Sequence, residues 1–467
     1  MSTSSRLAES RELSQERVFQ ADLTWTGDRF EEEVQVVADG GGLIREVGRL
    51  GRTADVRLQG KALLPGFVNA HSHAFQRGLR GRGETFPRGK GSFWTWREEM
   101  YRLVDSMDGE RLLDLCQQAY GEMLAAGITC VGEFHYLHHD ASGAGYAFDE
   151  VVLEAARRSG IRIVLLNAFY RWGGPGRPLE GAQKRFATSS MDQYWRQMER
   201  LRQVLTAGQS LGTVAHSLRA VDLEEAVQLR EEARRQGLPF HIHVEEQPRE
   251  IEECLEHYGA RPLALINRRL QPDPSLTAVH CTHSSAEDMK PYLEAGGGVL
   301  ICPLTEANLG DGIADLPLIG GLGGRIALGS DSNARICMLE EARWLEYVQR
   351  LARQSRGILR ATPEPPSDSG RSSLDDDRPA GEDGATIAGD NAACLLRCAT
   401  LEGARSLSLP AGEIAPGRWA DFCAVDLSHP DLAGTNASTL LPALLLGCGN
   451  SAIHSTYVSG SRRFLGG

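Results

Sequence analysis

Strand-like and helix-like segments alternate eight times along the middle of this chain, and this pattern constrains the fold more than any other feature. The strand-like segments are short, apolar and rich in β-branched residues. Between them lie longer stretches, such as 110–126 and 223–236, where apolar residues recur at three- and four-residue spacing. The predicted strands are 63–71, 128–136, 162–169, 212–218, 239–244, 276–281, 298–303 and 325–331. This alternation predicts an α/β fold, a (β/α)8 TIM barrel.

Histidines concentrate at the ends of these strands. The chain has 13 histidines, and those at 71, 73, 135, 138, 139, 216, 241, 243, 280 and 283 fall at or just after the end of an apolar segment. His71 and His73 are one residue apart in a strand, so their side chains point to the same face and can bind one metal ion. A barrel places its chemistry at the carboxyl ends of its strands, which is where these histidines lie.

Later strands end in further candidate ligands. His241 and His243 repeat the same-face spacing, although one of the two could be a structural core histidine. His280 and Asp331 lie at the ends of the sixth and eighth predicted strands, and an aspartate there could instead cap the next helix. Glu246 comes within one turn of the fifth strand's end. Two same-face histidines, further histidines and an aspartate, in barrel order, predict a metal site.

The two ends of the chain differ from the middle. Residues 20–62 and the tail from about 412 are β-prone, and each is too small to form a core alone. We therefore expect them to pair into one small β-sandwich domain beside the barrel. The expected divisions are 1–65 and 405–467 for the sandwich and 66–404 for the barrel. The stretch 363–384 is rich in Pro, Ser, Asp and Gly and is expected to be a surface loop.

Composition excludes several functional classes. The formal charge is −12 and no cluster of Lys and Arg occurs, which argues against nucleic acid or an anionic membrane as the main partner. The ten cysteines are scattered singly, as expected for reduced core residues. No secretory signal is recognised near the start, and the apolar run 440–446 is too short to span a bilayer. A cytoplasmic location is expected.

Together these motifs resemble the amidohydrolase superfamily. The resemblance covers most of the chain and rests on residues 65–73, His243, His280, Asp331 and the tail 412–421. More narrowly, residues 70–79, 96–97, 133–136 and 216–219 are similar to the family of deiminases that convert N-formimino-L-glutamate to N-formyl-L-glutamate and ammonia in histidine breakdown. The resemblance implies a hydrolase of C–N bonds with a small substrate that carries two carboxylates. It also implies a homodimer.

The resemblance further implies roles for individual residues. One zinc ion would be held by His71, His73, His243 and Asp331. A single metal is favoured because His216 stands where two-metal members have a carboxylated lysine. Hydroxide generated at the metal would attack the formimino carbon. The residues implied in proton transfer are Asp331, His280 and Glu246, and those implied in substrate binding are Gln76, Arg97, Tyr136, His216 and Arg219.

Alternatives remain open at this stage. Arg97 could be an exposed helix arginine paired with Glu98. His283 competes with His280, while Cys302 has no adjacent base and is interpreted as a core residue. The substrate could instead be a guanine-, adenosine- or triazine-like ring, for which aromatic stacking would replace the paired arginines. A non-catalytic binding protein on a barrel scaffold would lack ligands or proton-transfer residues, and none is missing.

Overall fold

Two eight-stranded sheets organise the chain in a computed structural model that describes residues 16–82, 91–359 and 391–466. The strands are β1 Arg17–Trp25, β2 Phe30–Glu31, β3 Gln35–Ala38, β4 Ile44–Gly48, β5 Val56–Pro65, β6 Phe67–Ser72, β7 Ile128–His135, β8 Arg162–Phe169, β9 Gln209–Ala215, β10 Phe240–Val244, β11 Leu276–His280, β12 Gly298–Ile301, β13 Arg325–Leu328, β14 Phe422–Asp426, β15 Ile453–Val458 and β16 Ser461–Leu465. Strands β6 to β13 form one sheet, and the remaining strands form the other.

The sheet of β6 to β13 is a nearly closed parallel barrel. Each strand pairs with the next one in the sequence, which is the order of a TIM barrel. The first and last strands meet where Ser72, the last residue of β6, bridges in parallel to Asp331, just beyond the end of β13. Most barrel strands are buried on both faces, which explains their continuous apolar, β-branched sequences. The predicted barrel is confirmed.

The second sheet joins the two ends of the chain, as expected from their β-prone sequences. Its order is β16-β15-β14-β5-β1-β3-β4, with β2 paired to β1. The N- and C-terminal segments meet where β5 runs antiparallel to β14, with Leu63 opposite Ala424. A separate core holds this sheet together, in which the ring of Phe19 lies 5.4 Å from that of Phe422 and 5.6 Å from that of Tyr457.

Helices connect the barrel strands and cover their outer face. They are α1 Phe93–Asp105, α2 Gly109–Ala125, α3 Ala147–Ser159, α4 Met191–Val204, α5 Leu223–Arg235, α6 Pro248–Tyr258, α7 Pro262–Arg269, α8 Ala286–Glu294, α9 Pro303–Leu309, α10 Leu316–Gly321, α11 Met338–Arg353, α12 Asn391–Ala399, α13 Leu401–Ser406 and α14 Leu440–Gly447. Short 3-10 helices cover Ala74–Leu79, Gly181–Phe186, Pro430–Leu432 and Asn450–Ala452. Helix α5 is representative, since the Asp222 side chain caps it and Leu223, Ala226 and Leu229 are buried. Among the described residues, no helix combines the length and apolar character that a bilayer span needs.

One predicted strand is divided between the two sheets. The segment 63–71 was expected to be a single strand, but β5 ends at Pro65 in the flanking sheet and β6 begins at Phe67 in the barrel. A side chain at Gly66 would place its Cβ 2.3 Å from the Thr129 side chain, so only glycine permits this close crossing between the sheets. The loop expected at 363–384 lies outside the described residues.

Candidate metal centre and active site

The carboxyl ends of the barrel strands surround one narrow cavity. Most of the residues expected at the site line it: His73, Gln76, Arg97, Tyr136, His216, Arg219, His243, Glu246, His280 and Asp331. The remaining one, His71, is fully buried and in contact with His243 and Asp331. Residues spread over more than 250 positions of the sequence are therefore brought to one end of the barrel.

Four of these residues converge on a single point. His71 Nε2 lies 3.3 Å from His243 Nε2 and 3.5 Å from Asp331 Oδ1. His73 Nε2 lies 3.3 Å from the same oxygen of Asp331. Zinc binds nitrogen and oxygen ligands at about 2.0–2.1 Å in tetrahedral sites, so its ligand atoms lie about 3.3 Å apart. The spacing of these donor atoms fits one such ion.

Hydrogen bonds made by Nδ1 of the histidine rings determine which nitrogen atoms face this point. His73 Nδ1 donates a hydrogen bond to the Phe134 carbonyl at 2.7 Å, and His243 Nδ1 donates to the His216 carbonyl at 3.0 Å. The Nε2 lone pairs of both rings are therefore directed inward, as in metal sites whose histidines are held by outer hydrogen bonds. Burial lowers the pKa of all three histidines, that of His71 to about 3, which keeps them in the neutral form that binds metals.

Asp331 reaches this point from an unusual backbone conformation. Its φ is +45°, in the left-handed region that few non-glycine residues adopt. Two backbone hydrogen bonds across the barrel closure hold it there, from Asp331 N to the His71 carbonyl and from His73 N to the Asp331 carbonyl. A Cβ at Gly329 would lie 2.6 Å from the His71 Cβ, so the close approach of the last strand to the first requires glycine.

Hydrogen bonds among buried polar side chains also stabilise the contact between the first and last strands of the barrel. The Asn69 amide donates to Ser330 Oγ at 2.6 Å and accepts a hydrogen bond from Ser330 N at 2.9 Å. Ser330 Oγ in turn donates to Asn333, which donates to Ser72 Oγ. Asn69 thus links the first strand to the loop that carries Asp331.

His280 lies between carboxylates next to the metal centre. Its Nε2 is 3.7 Å from Glu246 Oε1 and 3.9 Å from Asp331 Oδ2, and its Nδ1 is 3.2 Å from Glu306 Oε1. Burial lowers the pKa of His280, but Glu246 and Glu306 outweigh that effect and raise it to about 10. Glu306 was not predicted, because its position in the first turn of α9 is typical of an ordinary helix-start acid.

Two guanidinium groups line the outer part of the cavity. Arg97 is half-buried on α1, with its guanidinium carbon 5.5 Å from the centre of the Tyr101 ring. It lines the cavity, whereas its neighbour Glu98 is exposed, so the expectation of a surface pair is not met. Arg219 is nearly buried, with Nη2 3.8 Å from Glu246 Oε2. Both arginines also line a wider outer cavity of about 440 Å³.

The remaining predicted substrate residues form the wall between the arginines and the metal centre. Gln76 donates a hydrogen bond to the Tyr136 hydroxyl at 2.7 Å, which orients both groups. His216 follows β9, the fourth barrel strand, and its ring lies 4.6 Å from that of Tyr170. No lysine is among the described residues that line this cavity. Tyr170 also contributes to the wall and was not predicted.

Several other strand-end residues take structural roles. His241 donates from Nε2 to the Ser406 carbonyl at 2.9 Å, as expected of the core member of the second histidine pair. The competing candidate His283 donates from Nε2 to the Asp311 carbonyl at 2.6 Å. Cys302 is fully buried, and burial raises the pKa of its thiol well above the usual range. Such a thiol is a poor nucleophile.

Comparison with known proteins gives consistent results. A profile described as "Amidohydrolase family" matches residues 62–362. A formimidoylglutamate deiminase of Pseudomonas aeruginosa is 37% identical over 86% of this chain and 84% of its own length. A solved amidohydrolase from Brucella melitensis superposes with a TM-score of 0.81 at 32% identity, covering 96% of this chain and 95% of that one. A zinc-bound adenosine deaminase from Xanthomonas campestris has a TM-score of 0.76 at 23% identity, covering 96% and 92%, which shows the shared fold.

Proposed function

The chain belongs to the amidohydrolase family and is a hydrolase of C–N bonds, and we propose that its substrate is N-formimino-L-glutamate. The products would be N-formyl-L-glutamate and ammonia, a step of histidine breakdown. The observation that carries this proposal is the presence of two guanidinium groups, those of Arg97 and Arg219, in the same cavity as the candidate metal centre. Such a pair suits a substrate with two carboxylates, because buried carboxylates require charged partners.

The ligand set proposed for the metal is His71, His73, His243 and Asp331. One divalent ion, proposed to be zinc, would fit the spacing and the inward-facing lone pairs of these groups. Such an ion, when bound, supplies an activated water at neutral pH by lowering its pKa to about 7. The neutral imidazoles and the ionised aspartate match the protonation states that binding requires.

Proton transfer is assigned to the three groups beside this centre. The Asp331 carboxylate would accept a proton from the attacking water as its oxygen bonds to the formimino carbon. His280 and Glu246, 3.7 Å apart, would polarise the C=N bond and deliver protons to the departing nitrogen. Both water protons finish on that nitrogen, the carbon–nitrogen bond breaks, and ammonia leaves as the formyl oxygen forms.

Substrate recognition is assigned to the outer wall of the cavity. Arg97 and Arg219 would each bind one carboxylate, in an order that the proposal leaves open. Gln76, Tyr136 and His216 would contribute hydrogen bonds between the arginines and the metal centre. The cytoplasmic location and the homodimer expected from the sequence stay predictions.

A second candidate is deamination of a nucleobase-like ring. It is favoured by the aromatic lining of the cavity, which includes Trp96, Tyr101, Tyr170 and Phe186. This candidate is weaker because a neutral ring carries no negative charge that the two cavity-facing guanidinium groups could bind.

An ammonia-release assay on the purified, zinc-supplemented protein tests the proposal. N-formimino-L-glutamate, formiminoglycine, guanine and adenosine are compared side by side under steady-state conditions. We expect the highest kcat/KM with N-formimino-L-glutamate and a lower value with formiminoglycine, which has one carboxylate. Turnover of guanine or adenosine without turnover of N-formimino-L-glutamate would refute the proposal and support the second candidate.

A further inference from the structure

Glu250 is a buried acid beside the active site to which no role has been assigned. It lies in the first turn of α6, and only 1% of its surface is exposed. Within the part of the chain that the structure describes, neither of its carboxylate oxygens has a hydrogen-bond partner. Burial raises its pKa to about 7, against the opposing effect of Arg219. Such an acid is costly to keep, so it requires an explanation beyond packing.

The cation that Glu250 faces is Arg219. Glu250 Oε2 lies 3.9 Å from Arg219 Nε. The neighbouring nitrogen of the same guanidinium, Nη2, lies 3.8 Å from Glu246 Oε2. Two buried acids thus face adjacent nitrogens of one guanidinium, and both separations exceed hydrogen-bond length. Arg219 is shared between the two acids without closing onto either.

This balance matters because Glu246 has another neighbour. Its second oxygen, Oε1, lies 3.7 Å from His280 Nε2, on the side of the reacting atoms. A guanidinium that paired closely with Glu246 would hold this carboxylate ionised and turn it toward Arg219. It would also occupy the donors that a substrate carboxylate needs. One close contact would therefore impair both binding and proton transfer.

We infer that Glu250 is a positioning residue that acts through Arg219. Its negative charge attracts Nε of the guanidinium and offsets the attraction of Glu246 for the neighbouring Nη2. The Nη groups are left available to a substrate carboxylate, and Glu246 is left available to His280. The inference rests on the proposed function, in which Arg219 binds substrate and Glu246 transfers protons.

The substitution Glu250→Gln tests the charge with little change in shape. Without the charge, Arg219 closes onto Glu246, so KM for N-formimino-L-glutamate rises and kcat falls together. We expect kcat/KM to fall about tenfold, since contacting residues in one charge network couple at this level. Glu250→Asp keeps the charge and is expected to recover part of both parameters. Glu252→Gln is the matched control, because it makes the same change at an exposed position of α6 and should leave both unchanged.

A double-mutant cycle separates positioning from a structural role. Arg219→Gln, Glu250→Gln and the double variant are compared by steady-state kinetics and by calorimetric binding of N-formyl-L-glutamate. If Glu250 acts through Arg219, Glu250→Gln has little further effect once Arg219 is replaced. Equal losses in both backgrounds would overturn the inference, as would a Glu250→Gln variant with normal kinetics. If Glu250→Gln does not fold, the same cycle is measured with Glu250→Asp. The inference is then overturned if Glu250→Asp does not retain activity and its effect on kcat/KM adds independently to that of Arg219→Gln.

Failure of the proposed function has a different signature. It would appear in the wild-type protein, as absence of ammonia release from N-formimino-L-glutamate, and the inference would fall with it. If only the inference fails, the wild-type protein still releases ammonia from N-formimino-L-glutamate, and the effects of Arg219→Gln and Glu250→Gln on kcat/KM add independently.

Discussion

Two buried clusters of histidine and aspartate lie near the same barrel rim, and their difference shows what distinguishes a candidate metal centre from a structural network. One contains His71, His73 and His243 with Asp331. The other contains His135, His138 and Asp149. Residue types, burial and distances between the ligating atoms are alike in the two clusters, so these properties alone do not separate them.

The second cluster is satisfied by the protein. The Asp149 carboxylate accepts hydrogen bonds from His135 Nε2 at 3.0 Å and His138 Nδ1 at 2.9 Å, and from the amides of Asn167 and Gln197 at 3.0 and 2.9 Å. His138 Nε2 also lies 2.7 Å from a backbone carbonyl. Both nitrogens of His138 therefore face oxygen acceptors of the protein, and neither is directed toward a position where a metal could bind.

The first cluster is arranged in the opposite sense. The outer nitrogens of His73 and His243 donate to backbone carbonyls, and the Nε2 atoms of the three histidines face one another and the Asp331 carboxylate. His71 Nδ1 has no hydrogen-bond partner among the described residues. The Nε2 lone pairs of His73 and His243 and the Asp331 carboxylate are electron-rich and suit a cation. The direction of the lone pairs, rather than the count of histidines, distinguishes a candidate metal centre from a structural network.

The largest expected effect comes from removing a ligand of the first cluster. His73→Ala should abolish stoichiometric zinc binding and lower kcat by about a thousandfold or more, since metal activation contributes several kcal/mol. Elemental analysis and the ammonia assay measure the two effects. His138→Ala is the counterpart in the second cluster and should retain zinc. Loss of zinc from His138→Ala with retention in His73→Ala would reverse the assignment.

Removing the acid of the second cluster should affect stability instead. Asp149→Ala leaves four buried donors without their acceptor, and breaking a buried charged network costs about 3 kcal/mol or more of unfolding free energy. Urea unfolding monitored by circular dichroism measures this loss, and elemental analysis should show unchanged zinc. A stable variant that had lost its zinc would contradict the structural role of this cluster.

A smaller effect is expected from Arg97, which lines the outer part of the cavity. Arg97→Gln should lower kcat/KM for N-formimino-L-glutamate about 30-fold, equivalent to about 2 kcal/mol for a buried charged contact that has lost one partner. Unfolding free energy should change little. Steady-state kinetics with formiminoglycine as a second substrate then tell whether Arg97 binds the carboxylate that this substrate lacks. Equal losses of activity and stability would argue for a structural Arg97.

The smallest effect is a pH dependence carried by the second cluster. Burial lowers the pKa of His135, while its histidine partners outweigh burial and lower the pKa of Asp149. For His135, the unfolded chain takes up a proton below about pH 6.5 that the folded protein resists, so stability falls as the pH decreases. Asp149 adds a loss of the same sign at lower pH. We expect a decrease of about 1 kcal/mol between pH 7.5 and 5.5 at fixed zinc concentration, and a flatter profile for His135→Asn. Identical profiles would exclude this contribution.

Local sequence patterns predicted much of the fold. The predicted and observed bounds agree at 162–169 and differ by a few residues elsewhere, because buried strands and amphipathic helices have distinct periodicities. The exception, at Pro65 and Gly66, is a change of sheet within one apolar run. The apolar character of a segment does not indicate which of the two sheets its strand joins.

Some residues of the candidate site were predicted from the sequence, and others were not. His71, His73, His243 and Asp331 were identifiable because each lies near or just after the end of a strand. Glu306 and Glu250 were not, since both occupy first turns of helices, where acids are common for reasons unrelated to catalysis.

The sequence by itself determined the barrel and the end of it where the candidate site lies, because strand and helix periodicity and residue position along a strand are local properties. Only the tertiary structure decided which histidine cluster presents its lone pairs and which acids flank Arg219. Those properties depend on directions and distances between atoms far apart in the chain, such as His71 and His243, and these are defined only once the barrel closes.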